Sequence, residues 1–146
     1  MKREIKFRVW DHEVKNMIYP YETPDKAHHS FHMLYGSLRY QNYQNGFGTA
    51  NIMQYTGLKD KNGKGIYEGD VIIQKHWNGG DNYTEPSETH EFYGVVMWHC
   101  GGFGIQTQIC RGAGVEVNVC ENDEYTEVEI IGNIYEDEHL LNKRKR

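Results

Sequence analysis

The segment DKNGKGIYEGDVII, residues 60–73, joins a group of turn-forming residues to a run of branched apolar residues. Asn62 and Gly63 tolerate a positive φ at little steric cost, and the flanking segments look extended, so DKNG predicts the tip of a β-hairpin. Gly69 and Asp70 predict a second tight turn, in which the Asp side chain accepts a hydrogen bond from the backbone before a buried strand begins. The segment therefore favours a fold built from strands.

The glycines and acids of the same segment invite comparison with calcium and phosphate loops, but their spacing excludes both. An EF-hand that begins at Asp60 needs an oxygen donor at its fifth position and a bidentate Glu at its twelfth, where Lys64 and Val71 stand. A phosphate loop needs four residues between its first glycine and its Gly-Lys pair, whereas five separate Gly57 from Gly63. Neither chemistry is predicted.

Period-two patterns and glycine turns continue along the chain. In EIKFRVW, residues 4–10, the alternation predicts a strand with one buried face and with Lys6 and Arg8 on its outer face. MIYPY, residues 17–21, predicts the second strand of an N-terminal hairpin. Further predicted strands are IMQYTGL, VIIQKHW, FYGVVMWH, GFGIQTQI, VEVNV and TEVEIIGNIYED, the last of them breaking near Gly132. Short strands at this spacing favour a small β-barrel or a sandwich.

One short helix is predicted within TPDKAHHSFHMLYGSLRY, residues 23–40. Its apolar residues recur at helical spacing behind Thr23, a good N-cap, and Pro24, which suits the first helical position. The polar stretch NGGDNYTEPSETHE, residues 78–91, predicts a functional or mobile loop. We therefore expect one domain over residues 1–146 that is mainly β, either all-β or α+β with one short helix, and barrel-like with an N-terminal hairpin.

Charge and hydropathy narrow the class of protein. The formal net charge of -5 argues against bulk attraction to nucleic acid, but the first strand is basic and ENDEYTEVE, residues 121–129, is acidic. We expect these two segments to pair. The mean hydropathy is -0.80, and neither a membrane-length apolar run nor a signal-peptide pattern is present, which predicts a soluble intracellular protein.

The cysteines and histidines do not assemble into a predicted reactive site. Cys100, Cys110 and Cys120 lack any C-x2-C element and are interpreted as reduced core thiols. His28 and His32 lie four residues apart on the predicted helix without a third ligand, so a polar face is the better interpretation. His99 neighbours Cys100 on a strand, where adjacent side chains point to opposite faces. We therefore predict no catalytic residue, no metal site, no cofactor and no enzymatic activity.

Five basic residues remain as candidate contacts for a macromolecular partner: Lys6, Arg8, Lys59, Lys61 and Lys64. Small β-barrels combine cationic grooves with stacking aromatic rings when they bind nucleic acid. The negative net charge opposes such binding, and strands ordinarily carry lysine on their solvated face. A nucleic-acid-binding protein that uses a basic and aromatic β surface therefore stays as the alternative hypothesis.

Three segments, taken in their order, closely resemble the YopX family of phage and prophage proteins. They are KFRVWD with MIY near the start, MQYTGLKDKNGKGIYEGDVI at residues 53–72, and EVEIIGNIYEDEHLL at residues 127–141. The middle segment is specific, because a generic hairpin would share only its Asn-Gly turn. The chain departs from the family at Gly65, where many relatives carry an acid, and in EDEHLL, where an Asn-Pro pair is more common.

The resemblance implies a barrel-like, mostly β homo-oligomer that is encoded by a bacteriophage or prophage and acts in the bacterial cytoplasm. It brings no catalytic mechanism and no functional residue. We therefore expect a non-enzymatic phage or prophage accessory protein that self-associates and binds a macromolecular partner, most simply another protein, with no membrane involved.

Overall fold

A computed structural model describes residues 4–20, 29–34, 37–42, 50–77, 89–99, 101–107 and 117–142. The described chain contains eleven strands and one helix: β1 (Phe7–Asp11), β2 (Asn16–Ile18), β3 (His29–Leu34), β4 (Ser37–Asn42), β5 (Ala50–Lys59), β6 (Gly65–Tyr67), β7 (Asp70–Trp77), β8 (Thr89–His99), β9 (Gly102–Thr107), β10 (Val117–Asn118), β11 (Thr126–Asn133) and α1 (Glu138–Asn142). The strands form three antiparallel sheets, one of them curled into a half-barrel, so the predicted mainly β fold is confirmed.

The chain divides into two compact units, Met1–Tyr55 and Thr56–Arg146, and β5 contributes to both. One sheet has the order β2-β1-β5-β6, a second has the order β10-β9-β8-β7-β11, and β3 pairs with β4 alone. Within the described ranges, no helix is long and apolar enough to cross a membrane.

The first unit is built around β1, which lies between two antiparallel neighbours. Val9 is opposite Ile18 on β2 and opposite Ile52 on β5, which confirms the predicted N-terminal hairpin. Val9 and Ile18 pack with Tyr40 in a small core. Burial raises the pKa of the Tyr40 hydroxyl to about 12, with a smaller contribution from the charge of Asp11.

The prediction that β1 has a solvent-exposed outer face carrying Arg8 is wrong. Arg8 is 1% exposed and Trp10 is 8% exposed, so β1 is buried on both faces. Period-two alternation predicts a solvent-exposed face when a strand packs on one face only, whereas both faces of β1 are covered. The predicted pairing of the basic first strand with the acidic segment is also wrong, because β1 pairs with β2 and β5 whereas β11 pairs with β7.

The predicted early helix is wrong over its described part. Residues His29–Leu34 and Ser37–Asn42 form the antiparallel hairpin of β3 and β4, with Phe31 opposite Tyr40. A short apolar run fits both the helical and the strand period, and packing decides between them. Here the strand lets Phe31 contact Phe7, with ring centroids 5.5 Å apart, and Tyr40, with centroids 6.0 Å apart. His28 lies outside the described residues.

The second unit contains the larger core. Its buried members are Ile66, Ile72, Val96, Ile105, Val119 and Val128. Ile66 lies on β6, Val119 follows β10, and the other four lie on strands of the five-stranded sheet. The predicted strands of this half are confirmed over their described residues as β5 and β7 to β11, with β11 ending at Asn133 rather than at Asp137. Residues 108–109 and 115–116 of two predicted strands lie outside the described residues. The register between β11 and β7 shifts between Ile130 and Gly132, where the sequence predicted a break.

The one described helix follows β11. Asn133, which is buried, accepts hydrogen bonds at Oδ1 from the N–H groups of Tyr135 and Glu136, each at 3.0 Å, and so shapes the turn that leads to α1. The Tyr93 hydroxyl on β8 then donates to the carbonyl oxygen of Leu140 at 2.7 Å, which ties α1 to the sheet. Residues Glu138–Asn142 thus supply the short helix that the fold class allowed.

Candidate functional site

Residues 60–64, DKNGK, form a hairpin tip between β5 and β6. The Gly63 N–H donates to the Asp60 carbonyl oxygen at 2.9 Å, and the Asp60 N–H donates to the Lys64 carbonyl oxygen at 2.8 Å. Gly63 has a φ of 82°. Among the described non-glycine residues only Lys15 has a positive φ, so Lys61 and Asn62 both have a negative φ. The predicted hairpin tip is confirmed, with Gly63 alone using the left-handed region.

Asp60 organises this tip through its side chain. It is 5% exposed, and its Oδ1 accepts the N–H groups of Asn62 and Lys64, each at 2.9 Å. Its Oδ2 accepts a longer bond of 3.4 Å from the Ile130 N–H on β11. Burial raises the pKa of Asp60, but these donors together outweigh it, so the pKa is lowered and the carboxylate stays ionised. Its oxygens serve the turn.

The tip lies along the outer edge of β11. The Lys61 N–H donates to the Val128 carbonyl oxygen at 2.8 Å. The Val128 N–H donates in turn to Oδ1 of Asn122 at 2.7 Å, and Nδ2 of Asn122 donates to the Lys59 carbonyl oxygen at 2.7 Å. Asn122 therefore joins the last residue of β5 to the middle of β11. Sequence analysis did not identify this role, because nothing local to Asn122 reports a bond to a residue 63 positions away.

The three lysines of the tip differ in their electrostatic surroundings. Lys61 Nζ lies 2.7 Å from Glu129 Oε2 and 3.3 Å from Glu127 Oε1, and the hydrogen bond to Glu129 makes the largest contribution to the raised pKa of Lys61. Lys59 and Lys64 are exposed. The structure thus brings Lys59, Lys61 and Lys64 together on one tip, with the charge of Lys61 offset by two acids.

The two basic residues predicted on the first strand lie in the other unit. Lys6 Nζ is 2.9 Å from Glu4 Oε1 and 5.9 Å from the centroid of the Tyr55 ring. Arg8 is buried, so its predicted role as a surface contact is wrong, for the packing reason given above. Of the two, Lys6 alone presents charge near solvent.

The second predicted turn is confirmed. Gly69 has a φ of 79°, and Oδ2 of the buried Asp70 accepts the Tyr67 N–H at 2.8 Å. The Gly69 N–H also donates to the Val96 carbonyl oxygen on β8 at 2.9 Å. Two of the three acids of DKNGKGIYEGDVII, Asp60 and Asp70, therefore accept hydrogen bonds from backbone N–H groups.

A buried polar cluster, missed in the sequence analysis, lies beside the larger core. Gln74 is 0% exposed, and its Oε1 accepts the Cys120 N–H at 3.0 Å, which identifies its other atom as the donor. Nε2 of Gln74 donates to Nε2 of His76 at 2.8 Å and to the Asn118 carbonyl oxygen at 3.1 Å. Nδ1 of His76 lies 3.2 Å from the hydroxyl of Thr126. The signal was present in VIIQKHW, where Gln74 and His76 occupy the same alternate positions as the core residue Ile72.

This cluster is arranged for structure. Both ring nitrogens of His76 are engaged within it, and burial raises the pKa of the Cys120 thiol more than its bond from Gln74 lowers it. A thiol with a raised pKa holds little of the nucleophilic thiolate. Cys120 is free and half-buried, in line with a reduced thiol, whereas Cys100 and Cys110 lie outside the described residues. No group of three or more His, Cys, Asp or Glu suited to a metal ion occurs within the part of the chain that the structure describes.

Exposed aromatic side chains mark a second surface, at the end of the β8–β9 hairpin. Trp98 is 49% exposed, and its ring meets the Phe103 ring edge-on with centroids 4.9 Å apart. The two residues are direct cross-strand partners, and the connecting turn uses Gly101 with a φ of 83°. Tyr125, the residue before β11, is 50% exposed and does not belong to this hairpin end. Trp98 is thus a large apolar group held in solvent by a tight hairpin.

Comparisons with known proteins agree with this architecture. A family model described as YopX protein matches residues 6–142. YopX from Bacillus subtilis has a similar solved structure, with 19% identity, a TM-score of 0.52 and coverage of 92% of this chain and 96% of that chain. Protein EF1440 from Enterococcus faecalis is 23% identical, with a TM-score of 0.48 and coverage of 96% of this chain and 99% of that one. No curated protein matches the chain. The similarity to the Bacillus subtilis YopX structure concerns the fold alone. The family model spans most of the sequence, and the chain therefore belongs to the YopX family.

Proposed function

We propose that this chain is a non-enzymatic accessory protein of a bacteriophage or prophage that self-associates and binds a protein partner in the bacterial cytoplasm. The phage setting and the compartment come from the family resemblance. The observation that carries the binding role is the exposed Trp98 against Phe103. Tryptophan is enriched among the residues that dominate binding energy at protein interfaces, because it buries a large area with little loss of rotamer freedom.

The geometry of the hairpin end supports a contact surface there. The edge-on packing on Phe103 and the cross-strand register limit the motion of the Trp98 ring, so a partner meets a pre-ordered group.

The non-enzymatic part of the proposal has its support in how the buried polar side chains are used. Asp60 and Asp70 accept backbone N–H groups in turns, and Gln74 bridges Cys120 to Asn118. The Cys120 thiol has a raised pKa, which disfavours a nucleophilic role. These groups, which would be the first candidates for catalysis by residue type, are engaged in ordering the backbone.

The alternative role, nucleic-acid binding, has weaker support from the five basic candidates. Lys61 is paired with two glutamates, Lys6 with one, and Arg8 is buried. Lys59 and Lys64 remain exposed at the tip. Titration of labelled single-stranded and double-stranded DNA and RNA at low salt separates the two roles, since electrostatic binding weakens steeply with added salt. Salt-sensitive binding that is lost in the double variant Lys59→Ala, Lys64→Ala would favour the nucleic-acid role.

Light scattering over a concentration series tests self-association. The wild-type mass should rise above the 17.1 kDa of one chain. Trp98→Ala should shift this rise to higher concentration, whereas Tyr125→Ala, a control aromatic of the same exposure, should leave it unchanged. A wild-type mass of one chain at every concentration would contradict self-association, and an equal shift in both variants would contradict the role of Trp98.

Affinity capture from infected or prophage-induced cells tests partner binding. The wild type and Tyr125→Ala should retain the same host or phage protein, and Trp98→Ala should release it. A partner retained equally by all three forms would contradict the proposed surface.

A further inference from the structure

β11 is an edge strand of the five-stranded sheet, and its outer edge carries backbone groups that β7 does not pair. β11 ends the order β10-β9-β8-β7-β11, so within the described residues β7 is its only strand neighbour. A strand in that position presents a row of backbone donors and acceptors on its other side, and such a row is a template for pairing with another strand. Its edge-facing groups here belong to Thr126, Val128 and Ile130.

Four of these backbone groups are engaged by something other than a strand. The Val128 carbonyl oxygen accepts the Lys61 N–H, the Val128 N–H donates to Asn122, and the Ile130 N–H donates to Asp60. The Thr126 carbonyl oxygen accepts the Asp123 N–H at 3.0 Å. Two backbone N–H groups, of Lys61 and Asp123, and two side chains thus occupy positions that a neighbouring strand would fill.

We propose that the hairpin tip at Asp60–Lys64, together with Asn122, is a built-in cover that prevents β11 of a second copy of this chain from adding to the sheet. The strand that the cover excludes is β11 of a second copy. Two β11 edges present the same backbone groups to each other, and a two-fold axis aligns them as an antiparallel pair. This role is separate from the self-association proposed through Trp98. The proposed role gives the DKNGK turn, residues 60–64, a function beyond connecting β5 to β6.

The charges on β11 add a second barrier. In an antiparallel pair of two β11 strands centred on Val128, Glu127 of each copy faces Glu129 of the other, and like charges directly opposite each other are unfavourable. Within one chain Lys61 neutralises both glutamates, at 3.3 Å and 2.7 Å. The cover therefore pairs backbone groups of the β11 edge and neutralises the charges of Glu127 and Glu129. A strand without a cation would pair the backbone and leave both charges in place.

Lys61→Pro isolates the backbone contact. Lys61 occupies the second position of the turn with negative φ, a position that suits proline, so the substitution removes the N–H and leaves the turn compatible. Lys61→Ala is the matched control, because it removes the same ion pairs and keeps the N–H. Both are compared in about 0.5 M NaCl, where screening over a few ångströms weakens repulsion between the glutamates.

The measurement is hydrogen exchange at the Val128 and Ile130 amides over a series of protein concentrations, together with light scattering. The Val128 and Ile130 amides keep their acceptors, Asn122 and Asp60, in Lys61→Pro. At low concentration, however, loss of the Lys61 N–H bond to Val128 should loosen the tip on β11, and exchange at these amides should be about two- to tenfold faster than in Lys61→Ala. At high concentration the protection should return as the mass rises, because a second copy replaces the cover. Equal exchange rates in the two variants would refute the proposal that the tip covers β11. Exchange that is faster in Lys61→Pro and stays fast at high protein concentration would refute the proposal that a second copy takes the place of the tip.

A second variant keeps the test decisive if Lys61→Pro does not fold. Asn122→Ala removes the acceptor of the Val128 N–H at an exposed residue, and Glu121→Ala is its exposed neighbour and control. Asn122→Ala should show the same concentration-dependent recovery of protection, and Glu121→Ala should match the wild type. Identical behaviour of these two variants would refute the proposal.

Discussion

Replacement of Asp60 by alanine tests whether the carboxylate orders the hairpin tip as the structure indicates. The substitution removes the acceptor of two short bonds, from the Asn62 and Lys64 N–H groups at 2.9 Å, and of a 3.4 Å bond from Ile130. Each short bond to the ionised carboxylate contributes about 1–2 kcal/mol, and the long one contributes little. The free energy of unfolding should therefore fall by about 2–4 kcal/mol, or by about 5–15 °C in Tm for a chain of this length.

Urea unfolding followed by tryptophan fluorescence measures this loss, with an unchanged m-value as evidence that the unfolded state is the same. Asp123→Ala is the matched control. Asp123 is exposed and accepts one backbone bond, from Tyr125 at 2.8 Å, so its loss should be below about 1 kcal/mol. Equal losses for Asp60→Ala and Asp123→Ala would refute the reasoning, because burial and multiple bonds would then carry no extra stability.

The pH dependence gives an independent check of the same carboxylate. Because the folded pKa of Asp60 is lowered, its contribution is fully present above the unfolded pKa of about 3.9 and is lost as the pH falls through the folded pKa. The stability difference between the wild type and Asp60→Asn should therefore shrink on acidification below about pH 4. A difference that stays constant down to the acid transition would show that the charge of Asp60 is not involved.

Two further predictions concern the cores of the two units. Gly94→Ala should destabilise the second unit by about 1–3 kcal/mol in urea unfolding, because the new methyl group would collide with the backbone oxygen of Gln106 on β9. Gly102→Ala is the control, and it should cost less than about 1 kcal/mol because the space around Gly102 is open. Equal losses of stability in the two variants would contradict the close approach of β9 to Gly94. Tyr40 should make the wild type lose stability as the pH rises from about 10 to about 12, since its raised pKa favours the protonated folded state, and Tyr40→Phe should lack that component. Identical alkaline profiles would contradict burial as the cause.

The turns and most strands of this protein were predictable because their causes are local. Gly63 and Gly69 adopt the left-handed conformation that few other residues tolerate, and Asp70 caps its own turn three residues away. The break in β11 near Gly132 was visible for the same reason. A local signal survives in any fold that keeps the chain extended on both sides of the turn.

The errors arise where burial depends on distant residues. Arg8 has the pattern of a solvated strand position and is buried, because both faces of β1 are covered. Phe31 has helical spacing and lies in a strand, because Tyr40 pairs with it across a hairpin. In each case an amphipathic pattern fits two environments, and the neighbours supplied by the rest of the chain select one.

By itself the sequence determined the class of fold, the family and the conformation of DKNGKGIYEGD, since turn chemistry and strand periods act over a few residues. Only the tertiary structure decided what that segment does for its surroundings. It places Asp60 and Lys61 against Ile130 and Val128 on β11, about seventy positions later in the chain. The physical reason is that a backbone N–H or C=O bonds equally well to a partner at any sequence distance, so the partner is known only when the strands are placed.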